Sequence, residues 1–223
     1  MNIHILGTGN VARTLAVRLK ELGHRVELET RNPEDTLSRT FGDGTVMSDW
    51  LKTNDVSLSS FGTTTSEADL LINASNGKGT LEMLHRVGAE ALKGKVLLDL
   101  SNPLDFSNGM PPTLFVCNDD SLGEQIQREF PDLQVVKSLN TLTAPLMLTP
   151  HKLKGDHVVF LSGNHAEAKA KVRAMEESAG WKTENIIDLG DITTARGTEQ
   201  WLALWVRLYG SSGSALFNLN LVK

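Results

Sequence analysis

Gly7-Thr8-Gly9-Asn10-Val11-Ala12 sets two glycines and an alanine at G-x-G-x-x-A spacing near the start of the chain. The chemistry this spacing serves is anion binding by backbone amides, not catalysis by side chains. Gly7 allows a tight turn, Gly9 lets N–H groups approach a ligand with no Cβ in the way, and Ala12 keeps the next helix close to the strand before it. The N-terminus of the helix that follows adds free N–H groups and a partial positive charge. The ligand predicted is the pyrophosphate of a dinucleotide.

The flanks agree with that prediction. Asn2-Ile3-His4-Ile5-Leu6 reads as a strand, and Val11, Leu15, Leu19 and Leu22 form one apolar stripe at helical spacing that Gly23 ends. A second strand follows over Arg25–Thr30. Its tip selects between dinucleotides. Thr30, Arg31 and Asn32 stand at the strand's exit, where Arg31 can pair with a 2′-phosphate and the other two can donate hydrogen bonds to it. The alternative is that Glu29 binds a ribose 2′-OH and Arg31 is a solvated loop residue. The composition of the tip favours NADP(H).

Composition removes several function classes. A formal net charge of −5 leaves no basic footprint for nucleic acid. No apolar run approaches the ~20 residues that span a bilayer. The first strand begins at residue 2, which leaves no room for a targeting peptide, and the single cysteine, Cys117, suits a reducing compartment. A cytoplasmic protein is expected, with Cys117 serving packing. The six histidines show no ligand spacing, and no metal site is expected.

Further strands are expected near Val56–Leu58 and over Asp69–Ala74, Lys95–Leu100, Gln134–Leu139, His157–Leu161 and Asn185–Leu189, with helices between them. A short polar helix is expected from Asn32 to about Phe41, and Asn164 to Glu167 reads as a capping box. The fold class is α/β: a Rossmann-type, doubly wound, mostly parallel sheet extended by C-terminal strands and helices. Residues 1–145 form the NADP-binding part, and 146–223 extend the same sheet without making an independent domain. Ala74 and Ser75 leave the fourth strand beside the cofactor, in a loop where Lys78 could contact a phosphate. Asn102-Pro103 bends the chain where nicotinamide would lie, and Asn102 offers it an amide. The Trp201–Tyr209 helix is apolar over most of its circumference, which calls for cover either from a second subunit or from residues 210–223.

Several motifs recur together: Gly7-Thr8-Gly9-Asn10-Val11, Gly23-His24-x-Val26, Thr30-Arg31-Asn32-Pro33, Asp99-x-Ser101-Asn102-Pro103-Leu104, Val136-Lys137-Ser138-Leu139-Asn140-Thr141 and Ser162-Gly163-x-x-Ala166-Glu167-Ala168-Lys169. In this order they resemble the NADPH-dependent deazaflavin-coenzyme (F-420) oxidoreductase family, whose dinucleotide domain is similar to that of the six-transmembrane metalloreductases. The resemblance implies NADP at Thr8–Val11 and at Thr30-Arg31, and nicotinamide near Asn102 and Asn140. It also implies a small-molecule hydride acceptor over the nicotinamide, and commonly a homodimer. The loop from Ala74 to Thr80 departs from the more apolar one of that family.

Three activities are compatible with these residues: hydride transfer between NADPH and a flavin or deazaflavin, reduction of a small carbonyl or imine, and non-catalytic sensing of the nucleotide. Carbonyl reduction needs a proton donor beside the nicotinamide. The strand exits offer Ser75, Asn102, Asn140 and Thr141, with no clustered lysine, histidine or carboxylate pair, so no catalytic side chain is assigned. His151 and His165 are the only titratable candidates, and both read as surface residues. A flavin-type ring stacked at about 3–3.5 Å accepts hydride without such a donor.

Overall fold

The computed structural model describes residues 1–222. Ten strands and nine α-helices lie among those residues: β1 (Asn2–Leu6), α1 (Asn10–Glu21), β2 (Arg25–Thr30), α2 (Pro33–Leu37), α3 (Met47–Asn54), β3 (Ser57–Ser60), β4 (Leu70–Asn73), α4 (Thr80–Val87), α5 (Ala89–Leu92), β5 (Val96–Asp99), β6 (Leu104–Asp105), β7 (Thr113–Leu114), α6 (Leu122–Glu129), β8 (Gln134–Lys137), α7 (Ala144–Met147), β9 (Val159–Gly163), α8 (Ala166–Ser178), β10 (Ile186–Gly190) and α9 (Ala195–Ser212). Eight strands make one sheet in the order β10-β9-β8-β5-β4-β1-β2-β3, and β6 and β7 form a separate hairpin.

From β3 to β8 every pairing is parallel, with β1 between β2 and β4. This is the dinucleotide-binding strand order, with its reversal point between β1 and β4. β4 and β5, LLIN and VLLD, are buried at every position, as parallel strands covered on both faces require. β9 then runs antiparallel to β8, and β10 pairs parallel with β9. One apolar cluster on a single face of the sheet extends from Ile3 through Val136 to Val172 and Ile186. The C-terminal strands therefore extend the first sheet, as expected.

The differences from expectation are local. The polar helix after β2 stops at Leu37. Met47–Asn54 is helical, and Ser57–Ser60 forms the third strand beyond it. Asn164 Oδ1 accepts from the Ile192 amide, and no side chain caps α8. Cys117 is exposed, so its thiol packs no core. α9 is longer than predicted and is buried along one stripe only, at Leu202 and Val206. Phe217 from the tail stacks on Trp205 at 5.3 Å, while Leu204, Leu208 and Tyr209 stay exposed. Neither the sheet nor the tail covers that flank. Among the described residues no helix is long and apolar enough to cross a membrane.

Candidate active site

The exits of β1, β2, β4, β5 and β8 share one edge of the sheet around the reversal point. Gly7 turns with φ +127°, and a Cβ there would lie 2.9 Å from the Ala74 carbonyl oxygen. Only glycine fits both constraints, so the turn after β1 rests directly on the exit of β4. A Cβ at Gly9, in contrast, would meet nothing within 4 Å. Gly9 is also the N-cap of α1, and no side chain caps that helix. The first-turn amides of Asn10, Val11 and Ala12 are thus left for an anion.

At the exit of β2 the residues divide by role. Thr30 is buried with its hydroxyl 2.9 Å from that of Thr36. Asn32 caps α2, its Oδ1 accepting from the Glu34 and Asp35 amides while its Nδ2 donates to Asp35. Both side chains make contacts within the loop. Arg31 is 68% exposed and approaches Glu82 only at 4.0 Å. Glu29 is fully buried, accepting from the Thr65 hydroxyl, from the Gly62 amide and, at 2.8 Å, bonded to His4 Nδ1. That fixes the earlier alternative, because Glu29 has no access to a ribose.

Sequence reasoning missed Arg39. Its Nη2 donates to the Thr8 carbonyl at 2.6 Å and to the Thr8 hydroxyl at 2.9 Å. The Arg13 guanidinium lies 3.4 Å over the Phe41 ring, with Arg39 5.6 Å from the same ring. Burial lowers the Arg13 pKa, and Arg39 adds to that effect against the pull of Asp43. No spacing rule connects residue 39 to the glycine turn. Only the fold of the 38–46 segment, closed by the Thr40–Val46 bridge, brings it there.

The other end of the site is neutral. Asn102 Nδ2 donates to the Asn140 carbonyl at 2.8 Å, and Asn140 Nδ2 donates to Asn102 Oδ1 at 3.0 Å. The two candidate amides are each other's partners across the exits of β5 and β8, with Pro103 buried behind them. Gly77 packs so closely on this bend that a Cβ would come 2.0 Å from the Asn102 carbonyl oxygen. Ser75 donates to Asn73 Oδ1 at 2.6 Å. Lys78 bonds Asp105 at 2.6 Å and holds that carboxyl down at about 2. A cavity of about 240 Å³ opens between these groups, walled by Asn10, Ser75, Asn102 and Thr143 and by apolar side chains such as Leu142 and Met147. Among the described residues no titratable side chain lines it.

Behind that wall lies what the strand exits were not expected to hold. Lys137 is fully buried, 2.6 Å from Asp99 and 2.8 Å from Glu199 of α9, and it donates to the Ser101 carbonyl. Burial pulls the Lys137 pKa down, but the two carboxylates outweigh it and raise the net value. Asn73 and Ser101 donate to Asp99, while the Leu122 and Gly123 amides donate to Glu199. The expectation of no clustered lysine and carboxylates is therefore corrected, although the cluster braces the Ser101–Pro103 bend and does not line the cavity. Alternation sends the next residue to the opposite face, where Ser138 donates to Glu176 at 2.6 Å. Burial pushes the Glu176 carboxyl up to about 8. His151 and His165 are exposed, as expected.

A family model described as NADP oxidoreductase, coenzyme F420-dependent, matches residues 2–103. A crystal structure of a candidate F420-dependent NADP-reductase from Arthrobacter sp. FB24 is 49% identical, covers both chains completely and superposes with a TM-score of 0.94. Metalloreductase STEAP3 of Rattus norvegicus is 28% identical over 198 residues, 88% of this chain and 35% of its own. The chain thus spans about a third of the length of the metalloreductases it matches. An imine reductase from Myxococcus stipitatus in complex with NADP+, 15% identical with a TM-score of 0.60, shares the fold over 95% of this chain and 64% of its own. With a uniquely glycine turn, an exposed arginine at the tip of β2 and a relative alike along its whole length, the chain belongs to the coenzyme F420-dependent NADP oxidoreductase family.

Proposed function

We propose that the chain is an NADP(H)-dependent oxidoreductase that passes hydride between NADPH and a flavin or deazaflavin acceptor. The observation that carries this reading is the neutral lining of the cavity at the β4, β5 and β8 exits, where no titratable side chain among the described residues stands. A carbonyl or imine acceptor needs a proton as well as a hydride, whereas a flavin-type ring delocalises the incoming charge and takes its proton from water.

The residues fit the dinucleotide from end to end. The amides at Thr8, Gly9, Asn10, Val11 and Ala12 would hold the pyrophosphate, Arg31 and Arg39 the 2′-phosphate, and Ala74, Ser75, Asn102 and Asn140 the nicotinamide. The bound cofactor supplies the hydride. The protein's part is to orient the ring through the Asn102–Asn140 pair and to exclude water with Leu142 and Met147. The exposed Leu204, Leu208 and Tyr209 flank of α9 supports a homodimer through that helix, and sedimentation at twice 24.3 kDa is the expected result.

Stopped-flow oxidation of NADPH tests the reaction. Riboflavin, FMN or deazaflavin should oxidise it rapidly, and Asn102→Ala should slow the transfer about fivefold, the effect of losing one neutral hydrogen bond of about 1 kcal/mol. Rapid turnover with a carbonyl or imine and none with any flavin-type acceptor would overturn the proposal.

A further inference from the structure

The exits of β4 and β5 carry one pattern twice, Asn73-x-Ser75 and Asp99-x-Ser101, with Asn73 and Asp99 side by side in register. In each, the serine amide and hydroxyl both donate to one oxygen of the residue two before it. Ser75 N and Oγ lie 3.0 and 2.6 Å from Asn73 Oδ1, and Ser101 N and Oγ lie 3.0 and 2.7 Å from Asp99 Oδ1. Asn73 Nδ2 then donates to Asp99 Oδ1 at 2.7 Å, and Lys137 holds the other oxygen of Asp99. A continuous polar chain thus runs from the buried ammonium to Ser75, on the wall of the neutral cavity.

The direction of every bond in that chain is determined. A carboxylate paired with an ammonium only accepts, so Asn73 must turn its Nδ2 to Asp99 and its Oδ1 to Ser75. An amide oxygen also only accepts, so the Ser75 hydrogen points at Asn73. Thr80, 3.1 Å from Ser75, donates to the Asn76 carbonyl at 3.2 Å. Ser75 therefore has no hydrogen to offer the cavity and presents a lone pair instead. A serine free to rotate would serve a donor or an acceptor alike.

We propose that Ser75 is a specificity-determining residue that accepts an N–H of the nicotinamide carboxamide, its polarity set by Asn73, Asp99 and Lys137. The inference rests on the placement of nicotinamide in this cavity proposed above, and not on the identity of the hydride acceptor. The ligand class it names is a pyridine ring with a primary amide, and it disfavours rings whose substituent has no N–H. Asn73 is a positioning residue in this arrangement, since it bonds Ser75 and does not line the cavity. The buried ion cluster then has a second effect besides rigidity, because it decides which way a hydrogen points at the wall.

NADP+ and its acetylpyridine analogue test the idea, because the analogue keeps the ring carbonyl and carries methyl in place of the amide nitrogen. Equilibrium titration of the intact protein should show NADP+ bound about fivefold tighter or more, the effect of one neutral hydrogen bond. Ser75→Ala should narrow that ratio about fivefold, weakening NADP+ and leaving the analogue nearly unchanged. Asn73→Leu keeps the Ser75 hydroxyl but frees its hydrogen, and it should narrow the ratio in the same direction. A mere loosening of the wall would weaken both dinucleotides alike and leave the ratio in place. A ratio unchanged by Ser75→Ala, with NADPH still oxidised by flavins, would overturn the inference and leave the flavin reading intact. Failure of NADP+ to bind at all would overturn both.

Discussion

The two ends of the proposed dinucleotide site handle charge in opposite ways. At the adenosine end Arg31 and Arg39 are exposed at the surface, and Arg13 lies against Phe41 beside them. At the proposed nicotinamide end Lys137, Asp99 and Glu199 are buried behind the wall and satisfy one another, and Lys78 is paired with Asp105. Recognition of a charged ligand wants cations within reach of it. Positioning an uncharged ring wants a rigid frame, and a desolvated ion cluster gives rigidity only while every member is paired. On the proposed reading, the difference teaches that charge serves affinity at one end and shape at the other.

Removing the buried cation is the strongest way to break that contrast. Lys137→Met leaves two carboxylates buried without their ammonium, and it should destabilise the fold by about 3–5 kcal/mol in urea unfolding. A loss under about 1 kcal/mol would show that the cluster does not brace the bend. Glu176 sharpens the point, because it is a buried carboxyl whose bonded partner is the Ser138 hydroxyl and not a cation. Its folded pKa, about 8, stands above its ordinary value of 4.5. The native state therefore keeps a proton that the unfolded chain releases, so stability is full below pH 4.5 and falls as pH rises to about 8. The loss should reach roughly 3 kcal/mol by pH 7. Glu176→Gln should flatten that part of the stability profile, and an unchanged pH dependence would refute the assignment.

The adenosine end should respond in affinity instead of stability. Arg31→Ala removes a charge-assisted contact of about 1.5–3 kcal/mol, so NADPH binding should weaken roughly 10- to 150-fold with NADH nearly unchanged. Arg39→Ala is the finer cut. Because Arg39 also holds the Thr8 carbonyl, its loss should weaken both dinucleotides, about fivefold for a bond worth about 1 kcal/mol. Weakening of NADPH alone would mean that Arg39 acts only on the phosphate.

The pattern of what the sequence made legible follows the range of the forces involved. The glycine turn, the apolar strands and the Asn102-Pro103 bend are local, and backbone sterics or period alone reveal them. The buried ion cluster joins residues 99, 137 and 199, which only the sheet order and α9 bring together. Arg39 was hidden for the same reason. The loop contacts of Thr30 and Asn32 were not foreseen because a polar side chain at a strand exit can serve its own loop as readily as a ligand. α9 shows a third limit, since its apolar circumference predicts cover without naming what provides it.

The reciprocal pairing of Asn102 and Asn140 has a stereochemical consequence. Each amide fixes the other's orientation, so the pair offers its remaining donor and acceptor in one arrangement only. A nicotinamide carboxamide bound to that pair cannot turn over, and one face of the ring is then always toward the acceptor. Of the two hydrogens on C4, only one should ever be transferred. NADPH deuterated at one C4 position should pass its label to the acceptor completely, and its epimer should pass none.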